Sequence, residues 1–182
     1  PGYNTNAYDY QMLLIFLVVL FCTVIAAPVF SAEYQTQADD ILRCTKYGKA
    51  RLAVIKLLSA LFITSAAFLC CAALYLVLSN SFYGWDMLKT SIQLIFSSVS
   101  LGSMNIGQLQ LAVTAAGWAS LLATISFTLF LSSRCKNTVT ALSLALLFFL
   151  APIILYMASS GNAVSWLRCL LPSGGVSILG GF

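Results

Sequence analysis

Four stretches of this chain run for about the thickness of a bilayer without one charged side chain: residues 12–30, 57–78, 109–131 and 139–159. About 20 apolar residues in a helix cover the ~30 Å of hydrocarbon in a membrane, so each stretch is a candidate crossing. Composition removes the alternative of a water-soluble fold. The 182 residues are 60% hydrophobic and 8% charged, against about 45–50% and about 25% for a soluble domain. There are too few charges to cover a surface facing water. The broad class is therefore an integral membrane protein. The net charge of +4 does not indicate nucleic acid, because the cations are scattered and no basic patch with interleaved aromatics occurs.

The first span is expected over residues 12–30, with Tyr8 and Tyr10 at one rim and Pro28 placed to kink or end the helix near the other. The second is expected over residues 51–79, with Lys56 snorkelling from one turn inside. Residues 80–107 then read as an external loop. Residues 90–133 carry no charge and are long enough for two crossings, which leaves the count open; the 90–107 portion, rich in Ser and Gly and only half apolar, is read as an interfacial or re-entrant helix because a full crossing would put Arg134 and Lys136 outside. The third span is expected over residues 109–131. Ala112, Ala116, Ser120, Thr124 and Thr128 recur in it every four residues. Such a row of small side chains lets a neighbouring helix come close. A polar turn at 132–138 leads into the fourth span, 139–159, with Pro152 in its middle. The first ten residues lack the basic region of a signal peptide, and the tail ends in glycines. On this reading the chain is a fragment of a larger bundle, lacking a first and a last span.

Between the first two spans lies a compact polar segment, residues 31–49. Ser31 is a candidate helix N-cap, with Glu33 in the favourable first turn. Tyr34, Ala38, Ile41, Leu42 and Thr45 fall on one helical face; Glu33, Gln37, Asp39, Asp40 and Arg43 fall on the other. Asp39 and Arg43 are spaced to pair, Lys46 is near the end, and Gly48 is a suitable stop. The expectation is a short amphipathic helix along the membrane surface. Cations set its side. If the segment faces the cytoplasm, Arg43, Lys46, Lys49, Arg51, Lys56, Arg134 and Lys136 all lie inside, seven of the nine Lys and Arg residues.

No catalytic, cofactor or metal site is expected. The chain has no histidine, the commonest metal ligand and general base. Asp39 and Asp40 are adjacent and diverge by about 100° on a helix, so they do not converge on one site. The six cysteines have no zinc spacing, and Cys22, Cys70 and Cys71 read as small buried apolar groups. No ionisable residue sits deep in a span, which argues against ion-coupled pumping.

The order Phe30, Glu33, Asp40, Ile41, Leu42, Thr45, Gly48 and Lys56 resembles the inner loop after the second span in permeases of the type-2 ABC exporter family. Later features are similar too: Gly84, Trp85 and Asp86 in an outer region, residues 103–108 before the next span, and Leu170 to Pro172 at the end of a span. The resemblance covers nearly the whole chain, as spans two to five of the family's usual six. It departs where the family often has Gly near Gln37 or Ala38, and Arg at the place of Lys49.

What the resemblance implies is an all-α, polytopic membrane helix bundle of about four transmembrane helices plus a short cytoplasmic amphipathic coupling helix. That helix, carrying Glu33, Asp39, Asp40, Ile41, Leu42, Arg43, Thr45, Lys46, Gly48 and Lys49, with Lys56 trailing it at the start of the next span, would dock in an ATP-binding ABC subunit. The implied partners are that subunit, a second permease copy and the lipid bilayer of the plasma membrane. ATP hydrolysis would belong to the partner. The rival expectations are a non-transporting immunity or sensor protein that binds an antimicrobial peptide or partner, and a channel or scaffold. The substrate is not legible in the residues.

Overall fold

The computed structural model describes residues 5–35, 48–91, 105–135 and 137–158. The chain folds as helices. α1 (Thr5–Ala26) is separated by the single turn residue Ala27 from α2 (Pro28–Gln35). α3 (Gly48–Tyr83) ends at Gly84, which has φ +90° and turns the chain into a 3₁₀ segment, Trp85–Lys89. α4 (Ile106–Arg134) and α5 (Thr138–Ala158) complete the described fold. Helices suit these sequences because hydrocarbon offers backbone groups no partner, and a helix satisfies them within itself.

Three regions are long and apolar enough to cross a membrane: Ala7–Ser31, Arg51–Tyr83 and Ile106–Arg134. By length and composition the chain is a membrane protein. The apolar part of α5, Thr138–Ile154, is shorter, and the helix continues through Pro152. The 36 residues of α3 make a rod about 54 Å long at about 1.5 Å per residue. That exceeds the ~30 Å hydrocarbon core, so α3 must tilt or project beyond it.

α1 and α4 run parallel, since Gln11 meets Gln110 at one end and Ala27 meets Ser132 at the other. α3 runs against both: Asn80 lies at the Gln110 end, while Ser65 reaches Trp118 further along. α5 returns beside α1 and α4, with Phe149 against Phe16 and Phe148 against Phe127, each at 5.0 Å between ring centres. α4 is the axis of the bundle and touches every other helix.

The distribution of polarity is inverted relative to a soluble protein. α4 is the least apolar of the three long helices and the most buried. Its inward residues include Gln110, Ser120, Thr124, Thr128 and Ser132. Meanwhile Phe62, Phe82, Ile25, Leu74 and Val139 point outward, Phe82 with 84% of its surface open. In water that outer face would be costly to expose. Against lipid it is the natural surface, and polar groups retreat inward to bond one another.

Several expectations are corrected here. Ser31 is not an N-cap: α2 begins at Pro28, and Ser31 lies inside it, fully buried. The proline explains the shift, since its missing N–H and fixed φ favour the first helical position. Cys22 is buried, but Cys70 and Cys71 face outward, because most of the α3 surface is left to lipid. The polar turn expected at 132–138 is shorter, as α4 includes Ser132, Ser133 and Arg134. Ser91 pairs with Asn105 in an isolated antiparallel bridge, reinforced by the Ile106 N–H donating to the Thr90 carbonyl at 3.1 Å. The segment between these two residues therefore leaves and returns at one place. Asn105 opens α4, its own N–H donating to the Gln108 side chain at 3.2 Å.

Candidate functional site

Most of the segment expected to meet a partner lies outside the described residues: Asp39, Asp40, Ile41, Leu42, Arg43, Thr45 and Lys46. Glu33 is placed in α2, and Gly48 and Lys49 form the first turn of α3. Lys56 is half-buried about two turns further into α3. The described structure therefore defines the two mounts of the segment, α2 and α3, and how firmly each is held.

The α2 mount is a built joint. Pro28 has no N–H, so the hydrogen-bond ladder of α1 stops at Ala27, whose N–H still reaches the Thr23 carbonyl at 3.0 Å. A break here leaves backbone groups that need partners. Ser132, near the end of α4, supplies them. Its hydroxyl donates to the Ala27 carbonyl at 2.7 Å, and accepts the N–H of Phe30 at 3.2 Å and of Ser31 at 3.1 Å. The Ser31 hydroxyl adds a second bond to the Ala27 carbonyl at 3.2 Å. Both serines are fully buried. One side chain of α4 thus clasps the turn between α1 and α2. Among the described residues, the charged ones on the elements at this end are Glu33, Lys49, Arg51, Lys56 and Arg134, and the Arg134 guanidinium sits 5.7 Å from the centre of the Phe130 ring. At the opposite end are Asp9, Asp86 and Lys89.

Midway, the three long helices meet at Gly117. A Cβ there would lie 2.7 Å from Ile15 Cγ2 and 3.3 Å from Phe68 Cζ. Of the small-residue row, Ser120, Thr124 and Thr128 are buried, while Ala112 and Ala116 face outward. The inward face in the upper half of α4 is made by Gln110, Val113 and Gly117 instead. The buried threonines satisfy themselves locally: Thr128 donates to the Thr124 carbonyl at 2.8 Å, and Thr124 to that of Ser120.

At the far end lies a polar cluster that sequence reasoning missed. Gln11 Nε2 donates to the Gln110 carbonyl and to Thr114 Oγ1, both at 3.2 Å. Thr114 donates to the same carbonyl at 2.7 Å, and Asn80 Nδ2 reaches Gln110 Oε1 at 3.5 Å. Gln11 and Gln110 are each only 2% exposed. The one available signal was an amide side chain near one end of each of three apolar runs, Gln11 and Gln110 at the start and Asn80 after the end, which does not say that the three meet. Among the described residues no group of His, Cys, Asp and Glu could hold a metal ion.

No protein-family model, curated protein or solved structure matches this chain. Its function must be argued from the joint and the cluster.

Proposed function

We propose that this chain is a permease subunit of an ATP-driven exporter of the type-2 ABC class, multi-pass in the plasma membrane. In this reading α5 is the fourth crossing, the Arg51 and Arg134 end faces the cytoplasm, and residues 31–49 couple to a separate ATP-binding subunit. A second permease chain completes the pathway. The carrying observation is the Ser132 joint: the turn at Ala27 and the first residues of α2 are fastened to the central helix by three hydrogen bonds through one buried hydroxyl. A push delivered to the segment after α2 would pass into α1 and α4 together rather than be lost in a loose linker. The positive-inside tendency agrees with the cytoplasmic assignment, and the resemblance of Phe30, Glu33, Asp40 and Gly48 to the exporter pattern names the partner.

The test is to seek an ATP-binding subunit that copurifies with the chain, reconstitute the two and measure ATP hydrolysis; failure of any such subunit to copurify counts against the reading. Asp40→Ala together with Arg43→Ala should lower permease-stimulated hydrolysis at least about tenfold, as expected when a central polar contact worth about 1.4 kcal/mol or more is removed. Unchanged stimulation would reject the coupling role.

A further inference from the structure

The two ends of the bundle are fastened differently. At the Ala27 end the Ser132 hydroxyl uses its whole donor and acceptor capacity. At the opposite end, where α1, α3 and α4 meet, the polar groups fall short. Gln11 Oε1, Gln110 Nε2 and Ser79 Oγ are buried and have no hydrogen-bond partner. Exchanging nitrogen and oxygen in the amides does not cure this. Turning Asn80 and Gln110 over together keeps the bond between them and passes the unpartnered position from nitrogen to oxygen. Swinging Ser79 onto a carbonyl of its own helix, as Thr23, Thr64 and Thr128 do, would settle that hydroxyl and leave both glutamines. None of the three atoms is open to water in the packed form. Water reaches them only when a helix moves aside.

α3 is the helix placed to move. Only 17% of its apolar window is buried, against 44% for α4. α1 and α4 stay together from Gln11 and Gln110 at one end to Ala27 and Ser132 at the other. The outer half of α3 is tied to them by the Tyr75 hydroxyl, which donates to the Ala7 carbonyl at 3.0 Å, and by Asn80 Nδ2, which reaches Gln110 Oε1 at 3.5 Å. The second is at the long limit of a hydrogen bond. A groove of about 370 Å³ runs past Leu76 and Asn80 of α3 and Gly107 and Leu111 of α4, so apolar packing between the two helices is thin there. Lower down, Phe68 is fully buried and packs where α4 is narrowed by Gly117, which supplies a fulcrum. Above, α3 ends at Gly84, with φ +90° and open space where a side chain would stand, so a change in the direction of α3 is absorbed there.

We propose that the outer half of α3, residues 72–83, swings away from α1 and α4 about the Phe68–Gly117 contact, as a gate that admits water to the amides of Gln11 and Gln110. Apolar contact and the Tyr75 bond hold the gate shut. The unpartnered amides pull the other way, because only the open form lets water bond them. The device belongs to a single chain and does not depend on the exporter reading.

The experiment uses the full chain in phosphatidylcholine nanodiscs, without an ATP-binding subunit. The six native cysteines are replaced by alanine, Ser79→Cys is introduced, and its modification by a charged methanethiosulfonate is timed. The position is closed in the packed form, so modification reports opening, and slow but complete reaction is expected. Tyr75→Phe, which removes the bond to Ala7 and keeps the ring, should speed it about three- to tenfold, the value of one neutral hydrogen bond. Gln11→Leu, Asn80→Leu and Gln110→Leu combined remove the groups that favour water. They should slow it at least about tenfold with no loss of melting temperature, since replacing all partners of a buried polar set by apolar groups is near neutral or stabilising. Thr64→Cys, also buried in α3 but below the fulcrum, should stay unmodified, and it reports any general unfolding. No reaction at Ser79→Cys, a rate unchanged by Tyr75→Phe or by the three leucine substitutions, or equal reaction at Thr64→Cys overturns the proposal.

Discussion

Ser132 carries more than its size suggests. A hydroxyl can donate one proton and accept two, and this one does all three at the bend around Ala27. Replacing it by alanine removes every bond at once in a place with no water to substitute. Ser132→Ala is expected to lower stability by about 1–3 kcal/mol, the cost of stranding buried backbone groups. Thermal denaturation in detergent measures this, and Ser133→Ala, an exposed neighbour bonded only to the Phe130 carbonyl, should change little. Nothing in the local sequence marks Ser132. It was read as part of a polar turn, because its partners lie about a hundred residues upstream and local periodicity carries no information on that scale. The Ser31 assignment failed for a related reason. Both Pro28 and Ser31 signal a helix start, and the proline, three residues earlier, sets the boundary.

At the scale of a helix, α4 shows why a spacing rule must respect the true period. Four residues turn a helix by about 400°, so a strict every-fourth row drifts by about 40° per step and by about 160° from Ala112 to Thr128. The row therefore starts on the lipid side and ends in the core, as the exposure of Ala112 and Ala116 and the burial of Thr124 and Thr128 record. The row that stays inward mixes steps of three and four through Gln110, Val113, Gly117, Ser120, Thr124 and Thr128. Gly117 is its tightest point. Gly117→Ala gains up to about 1 kcal/mol in helix propensity but forces a methyl against Ile15 at 2.7 Å, an overpacking cost of about 1–3 kcal/mol. The net expectation is a loss of about 1–2 kcal/mol, read as a lower melting temperature. The double change Gly117→Ala with Ile15→Ala should cost less than the sum of its parts, since the two side chains compete for one volume. The apolar runs themselves were legible: 12–30, 51–79 and 109–131 fall within Ala7–Ser31, Arg51–Tyr83 and Ile106–Arg134. Their ends were not: the first span begins before the expected residue 12 and buries Gln11, and Asn80, expected in the external loop, is buried inside α3.

For the molecule as a whole, the parallel run of α1 and α4 has a topological consequence. The bend at Ala27 and the end of α4 share one end of the bundle, so the connection after α2 and the turn after α4 must emerge on the same face. Two native thiols report on this: Cys44 lies in the first connection and Cys135 caps α4. In sealed vesicles a membrane-impermeant maleimide is expected to modify single-cysteine variants retaining Cys44 or Cys135 from the same side. Modification from opposite sides would break the parallel arrangement and with it the proposed inner face. At the other end the isolated bridge brings Ser91 and Asn105 together, while residues 92–104, most of the expected 90–107 interfacial or re-entrant helix, lie outside the described residues.

The clasp at Ala27 also sets an order of events during biosynthesis. A nascent chain emerges from its N-terminus, and residues 27–31 are made about a hundred residues before the serine that holds them. Until Ser132 leaves the ribosome, the first hairpin of the bundle sits in the membrane with its elbow unlocked, and only arrival of the third long helix fastens it. The joint between α1 and α2 is therefore completed only once α4 has been made, with α5 still to dock.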